Sequence, residues 1–259
     1  MSPLDVLGLG FAAPGLVGWP AARGCLAGAA PYQPEPLPRL NPAGLPANER
    51  RRLSTTMRLA LTVAGEAMAD TGVDPQSTLT VFASANGDGD IIHSICEELA
   101  RPEPAVSPTQ FHNSVHNAPA GYFSIAAHAM TPYTAVSAHD GTFAAGLLEA
   151  AALAHEGAPV LLVVYDRPLP MPLGETRPSH DAFACALLLQ AGAAADVSLE
   201  LSLENGGIES TLVDPELETL RAGNPAARAL PLFERLAQGA PGRVRLPYID
   251  DTRLMVTCK

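Results

Sequence analysis

Apolar positions along this chain fall into two kinds of block. Continuous apolar runs, such as Val160 to Tyr165, suit strands buried on both faces. Runs spaced three and four apart, such as Leu53, Met57, Leu61, Ala64 and Met68, suit helices with one buried stripe. Read in order, the pattern predicts a strand from Leu4 to Leu9 with a turn at Gly10 and Pro14, and a surface loop from Pro31 to Pro46. Asn48 is then expected to cap a helix running to about Asp70, with Gly72 as its stop signal. A strand at Leu79 to Ala83 precedes the turn Asn86-Gly-Asp-Gly-Asp90, a helix from Ile91 to Ala100 and a small-residue helix from about Asn113 to Met130. The next three elements are a strand at Tyr133 to Ser137, an Ala-rich helix from Gly141 to Glu156 and the strand at Val160 to Tyr165. Together they read as a strand–helix–strand unit. Further on, Phe183 to Leu189, Val197 to Leu203 and Leu254 to Cys258 read as strands, and Pro215 to Arg221 and Ala226 to Gln238 as helices. Alternation of this kind predicts an α/β protein.

Length and composition narrow the field. The 259 residues, with 47% hydrophobic and 17% charged, can build a sizeable core. Twenty-seven acidic against 16 basic residues give a net charge of −11. That field repels phosphate backbones, so no nucleic-acid partner is expected. Arg50-Arg51-Arg52 is read as a solvated helix turn. Neither a signal peptide nor a membrane span is expected, since Met1 to Gly10 lacks a basic opening and no apolar run approaches about 20 residues. Cys25, Cys96, Cys185 and Cys258 show no paired spacing, which suits reduced thiols in a cytoplasmic protein.

Candidate chemistry is sparse. His112 and His116 stand four apart on the expected helix, the spacing at which two imidazoles share one metal, with His128, His139 or Asp140 as a third ligand. A metal-dependent hydrolase is the reading this allows, without the glutamate of the usual zinc-helix motif. Ser137, His139 and Asp140 carry the letters of a catalytic triad but lie too close in sequence. Gly87-Asp-Gly-Asp90 is short of a calcium loop, and Gly8 with Gly10 is short of a dinucleotide fingerprint. No cofactor is expected.

Val136-Ser-Ala-His-Asp-Gly-Thr-Phe-Ala-Ala-Gly146 resembles the strand-to-helix turn of the β-ketoacyl synthases, in which a nucleophilic cysteine occupies the position of Asp140. Leu7-Gly-Leu-Gly10 resembles that family's opening strand and glycine turn, and Glu156-Gly-Ala-Pro-Val-Leu-Leu-Val-Val164 its strand after the nucleophile helix. Ser107 to Ile125, with its Ser-Val-His-Asn-Ala core, is similar to the segment before the nucleophile strand in chain-length-factor-like proteins of aryl polyene and polyketide clusters. The resemblance covers residues 1–190. It implies a thiolase-like α/β/α fold with a truncated second half, residues 191–259 being a short α/β extension that completes the same domain.

The resemblance also implies a chemistry that this chain departs from. The family's cysteine is activated at a helix N-terminus, and two histidines from the second half assist it. Here the nucleophile position is Asp140, and the later histidines, His155 and His180, lie outside the family's histidine motifs. A carboxylate at that place is expected to cap the following helix. The expectation is therefore no catalytic residue, and a non-catalytic chain-length-factor-like subunit that pairs with an active β-ketoacyl synthase. An acyl carrier protein would dock mainly on that catalytic partner. By resemblance, Phe111, Ser114, Val115, Ala118, Tyr122 and Phe123 line the interface or the acyl tunnel. A decarboxylase-like relative is the alternative within the family.

Overall fold

The computed structural model describes residues 3–155 and 157–259. Strand β1 (Leu4–Ala13) and the short β2 (Leu16–Val17) lead into α1 (Trp19–Leu26). A proline-rich loop then reaches α2 (Ala47–Arg52) and α3 (Thr55–Met68), followed by β3 (Leu79–Ala83) and α4 (Gly89–Leu99). Helices α5 (Pro108–Asn113) and α6 (Ala118–Ala127) precede β4 (Tyr133–Val136). A 3₁₀ turn (His139–Gly141) joins β4 to α7 (Thr142–Ala154), which runs to β5 (Val160–Asp166). Then come α8 (Leu173–Thr176), β6 (Phe183–Ala191), β7 (Ser198–Asn205) and α9 (Pro215–Gly223). A second 3₁₀ turn (Ala226–Ala229) passes into α10 (Leu230–Gln238), and the hairpin β8 (Gly242–Pro247) and β9 (Thr252–Cys258) closes the chain.

The strands form one mixed sheet in the order β4-β3-β5-β6-β1-β7-β9-β8, with β2 paired to β1. Strands β4, β3 and β5 run parallel, and the remaining pairings are antiparallel. The unit read as β4–α7–β5 therefore spans β3, which lies between its strands. Every residue of β5 is buried, as its continuous apolar run requires. On one sheet face, α1, α7, α9 and α10 bury Leu26, Leu147, Leu220 and Phe233. On the other, α3 and α6 bury Met57, Leu61 and Tyr122. Alternate residues of β5 serve the two cores, Leu162 and Val164 facing one and Leu161 and Val163 the other.

Several sequence expectations change in detail. β1 does not end at Gly10 but continues to Ala13. A Cβ at Gly8 or Gly10 would lie 2.0 Å from the carbonyl oxygen of Ala67 or Val63, so these glycines admit α3 against the strand instead of forming a turn. The helix expected from Asn48 breaks at Leu53. Ser54 caps α3 by accepting a hydrogen bond from Met57 N at 3.1 Å, and donates its hydroxyl to Asp88. The helix expected over 113–130 is interrupted too: α5 ends at Asn113, and Ser114 to Asn117 form the step to α6. Its second half ends at His128, in the left-handed conformation. The end placed at Glu156 for the following helix lies outside the described residues. α1 and β8 answer to no element read from the sequence, although Arg243-Val-Arg-Leu246 alternates polar and apolar as a half-buried strand does.

Candidate functional site

Two regions border β4, and between them they hold the residues singled out from the sequence. The first is the turn after the strand. His139 takes a left-handed φ of 53°, and Asp140 follows it within the 3₁₀ turn. The expected cap is absent, because the Asp140 carboxylate accepts no hydrogen bond from the α7 backbone. Instead Arg177 Nη2 donates to its Oδ1 at 3.1 Å, Arg228 Nη2 lies 3.8 Å from Oδ2, and His139 Nδ1 lies 3.7 Å from Oδ2. Arg177 follows α8 and Arg228 sits in the second 3₁₀ turn, so segments distant in sequence converge on one carboxylate. Thr142 stitches the turn from within, accepting from Ala138 N at 3.0 Å and donating to His139 O at 2.6 Å.

Gly141 shows how closely the end of the chain covers this turn. A Cβ there would stand 2.1 Å from Tyr248 O, in the loop between β8 and β9. His139, Asp140, Tyr248 and Asp250 line an adjacent open cavity of about 410 Å³. Cys25, Cys185 and Cys258 are buried elsewhere and Cys96 lies exposed on α4, so no cysteine reaches the turn. Burial raises the thiol pKa of Cys185, and burial with the nearby Asp214 charge raises that of Cys25. His155 stands at the far end of α7, and His180 packs against Gly223.

The second region is the face built by α5, α6 and the start of β4. Phe111, Val115, Ala118, Tyr122, Ile125 and Tyr133 line a cavity of about 570 Å³. Phe111 is 68% exposed and Met130 97%, with Val115, Ile125 and Tyr133 also exposed. Tyr122 is 3% exposed, and its hydroxyl donates to Asn113 Oδ1 at 3.1 Å while Asn113 Nδ2 donates to Arg52 O at 3.0 Å. Burial raises the Tyr122 pKa, opposed by the Asn113 bond, so the phenol stays neutral. Among the described residues β4 pairs only with β3, which leaves its outer edge open.

The residues expected at the interface separate into three settings. Phe111, Val115, Ala118 and Tyr122 share the cavity. Ser114 turns its hydroxyl back onto Phe111 O at 2.8 Å. Phe123 faces the opposite way, with its ring 5.9 Å from that of Phe82 in the core beside α3. Ile125, on the helical stripe of Ala118 and Tyr122, extends the apolar surface, and Met130 and Tyr133 carry it beyond the stripe read from the sequence.

The metal reading does not survive the break between α5 and α6. His112 lies exposed near the end of α5 and lines the apolar cavity. His116 lies in the step between helices, its Nε2 2.9 Å from Ser84 O. Among the described residues no group of three or more His, Cys, Asp or Glu side chains could hold a metal.

Ser84 belongs to a buried polar knot behind this face. Asp166, at the end of β5, accepts from Ser84 Oγ at 2.8 Å, Ala85 N at 3.2 Å and Asn86 N at 2.8 Å. Burial raises its pKa to about 6, against the lowering effect of these bonds. The knot fixes the loop after β3 and, through His116, the approach to α6.

Residues 26–239 match the N-terminal domain of the β-ketoacyl synthases. The chain belongs to that family. Its fold is the thiolase-like α/β fold of ketosynthase structures. It is similar to a chain of the ketosynthase ApeO in complex with its chain length factor ApeC from Xenorhabdus doucetiae, with 26% identity and a TM-score of 0.76, covering 98% of this chain and 99% of that one. The ishigamide ketosynthase/chain length factor matches over 100% of this chain and 99% of that one, with 15% identity and a TM-score of 0.72. A β-ketoacyl synthase from Burkholderia phymatum STM815 matches with 13% identity and a TM-score of 0.63, over 92% of this chain but 71% of its own. No functionally curated protein matches the chain. No helix among the described residues is long and apolar enough to cross a membrane.

Proposed function

We propose that this chain is a non-catalytic, chain-length-factor-like subunit that pairs with an active β-ketoacyl synthase and helps to wall its acyl tunnel, in polyketide or aryl polyene synthesis. One observation carries the reading. At the strand-to-helix turn where the resemblance places the nucleophile, Asp140 is engaged by Arg177 and Arg228. A carboxylate held by two cations is a poor nucleophile and forms no acyl thioester. His155 lies at the C-terminal end of α7 and His180 beside Gly223, and neither comes within ion-pair distance of Asp140.

The apolar α5–α6 face supports the pairing. Contiguous exposed apolar surface beside an unpaired strand edge marks a partner site. Ala118 and Gly121 allow close approach, while Phe111 and Tyr122 supply rings that could border a tunnel. The structural likeness to chains of ketosynthase–chain length factor complexes agrees with this reading. An acyl carrier protein, itself acidic, would dock on the catalytic partner in preference to a chain of net charge −11.

The test is the native mass of the tagged chain purified from its source cells. A one-to-one complex with a second protein of ketosynthase size is expected. A stable monomer of 26.9 kDa would overturn the heterodimer.

A further inference from the structure

A third region, remote in composition from both of the others, gathers positive charge in an acidic molecule. The loop before α2, the start of α3 and the segment after β5 enclose a cavity of about 530 Å³. Arg39, Arg58 and Arg167 line it, and no aspartate or glutamate does. Leu37, Leu40, Leu53 and Leu59 give it apolar walls, and Ser54 and Thr55 add two hydroxyls. Asp90 pairs with Arg167, and Asp88 takes the hydroxyl of Ser54 at the cavity's edge. Those acids are committed. Among the described residues, no carboxylate comes within ion-pair distance of Arg39 or Arg58.

Arg58 is the unusual member. It is 8% exposed, on the first turn of α3. Its guanidinium donates to Arg50 O at 2.6 Å and Leu40 O at 3.4 Å, so among the described residues its acceptors are neutral carbonyls. Burial, then the charges of Arg39 and Arg50, lower its pKa from the ordinary value. A buried cation normally has an anionic partner, because its desolvation is otherwise uncompensated. Cavities of about 300–1,000 Å³ with apolar walls and a few convergent polar groups are the usual form of small-molecule sites.

We propose that this cavity binds a carboxylate with an apolar tail, its head on Arg39 and Arg58 and its chain along Leu37, Leu40 and Leu59. The assignment is independent of the heterodimer reading, since the cavity shares no residue with the α5–α6 face or the Asp140 turn.

Octanoate is the probe, titrated by calorimetry into the full chain together with any subunit that copurifies. Octanamide and inorganic phosphate are the controls. Saturable one-to-one binding of octanoate is expected, with octanamide at least tenfold weaker and phosphate weaker still. The paired variant Arg39→Gln/Leu37→Asp changes exposed or half-buried positions on the loop and leaves Arg58 in place. It is expected to weaken octanoate tenfold or more with the circular-dichroism spectrum of the folded wild type, and with a lower melting temperature because Leu37 packs against the α3 core. Equal binding of octanoate and octanamide would overturn the charge assignment, and phosphate binding as tightly as octanoate would overturn the apolar tail. Octanoate binding that is absent, or unaffected by the paired variant, would overturn the site.

Discussion

The Asp140 turn and the α5–α6 face flank the same short strand, yet they treat their chemistry in opposite ways. At the turn, the carboxylate meets arginines, the Thr142 hydroxyl gives and takes one bond each, and Tyr248 O presses against Gly141. At the face, rings and branched aliphatic side chains stand in solvent beside an open strand edge. A carboxylate paired with two guanidinium groups is held in place and is a weak nucleophile. A region that leaves apolar area exposed gains by association, at about 25 cal/mol per Å² covered. On the proposed reading, the face is the working surface of this chain and the turn serves structure.

The contrast is broken most severely by charging the face. Val115→Asp together with Ile125→Asp would bury two carboxylates in any apolar interface formed there, and both side chains are exposed in the chain alone. Partner affinity is expected to fall by roughly 100-fold or more, the scale of about 3 kcal/mol at central interface positions. Melting temperature of the isolated chain is expected to hold. Coelution and thermal unfolding measure the two effects, and a variant that still coelutes at wild-type affinity rejects the face as the interface.

Next in size is the pH dependence of the knot behind the face. Asp166 is fully buried, and its folded pKa is raised from the ordinary 3.8 to about 6. Its carboxyl binds a proton more tightly folded than unfolded, so its contribution to stability is fully present below the unfolded pKa. That contribution is lost as pH rises through about 6. The loss amounts to about 3 kcal/mol across this window. Glu218 acts with the opposite sign, because hydrogen bonding to Arg221 lowers its pKa. Denaturant titrations from pH 4 to pH 7 are therefore expected to show a shallower rise in stability for the wild type than for Asp166→Asn. Parallel profiles would mean that Asp166 stays charged throughout.

Most of the sheet was legible because its strands are apolar on both faces and bounded by Gly and Pro. Phe183 to Leu189 and Val160 to Tyr165 lie within β6 and β5, extended by no more than the ends of the runs. Helix breaks were hidden for a different reason. The stripe through Leu53 and Met57 continues across the break at Ser54, because both residues are buried whether or not one helix carries them. The same continuity masked the step at Ser114 to Asn117, and with it the divergence of His112 from His116. The arginines on Asp140 had no local signature. Arg177 and Arg228 lie 37 and 88 positions away, and only the folded chain brings them together. A local rule therefore gave a helix cap where the tertiary structure supplies ion pairs.

A smaller effect sharpens the role of the face's inner wall. Tyr122→Phe removes the hydroxyl that donates to Asn113 Oδ1 and leaves that oxygen in buried surroundings. The expected loss is about 1 kcal/mol in thermal or denaturant unfolding. Within a reconstituted heterodimer, Tyr122→Ala is expected to lengthen the product, since it opens the cavity that the ring borders. Unchanged product length in a folded Tyr122→Ala complex would remove Tyr122 from the tunnel wall.

The smallest effects belong to the turn, and they carry the sharpest consequence for function. Asp140→Asn keeps the shape of the side chain and removes its charge. The carboxylate is half exposed, so its pairing with Arg177 and Arg228 is screened by solvent, and a loss below about 1 kcal/mol is expected. Partner affinity and product length are expected to stay within twofold of the wild type. Asp140→Cys is the complementary change. It places a thiol at the start of α7 beside two guanidinium groups, surroundings that favour the thiolate. Acylation of that thiol by an activated acyl thioester is therefore an expected outcome, detectable as a mass increase. Condensation is not expected, because the step after acylation needs groups that stabilise a developing oxyanion and a decarboxylating donor. His155 lies at the far end of α7 and His180 beside Gly223, and neither pairs with Asp140. An Asp140→Cys variant that condensed acyl units without its partner would show that one substitution separates this chain from an active synthase, and the turn, not the face, would then be the seat of its function.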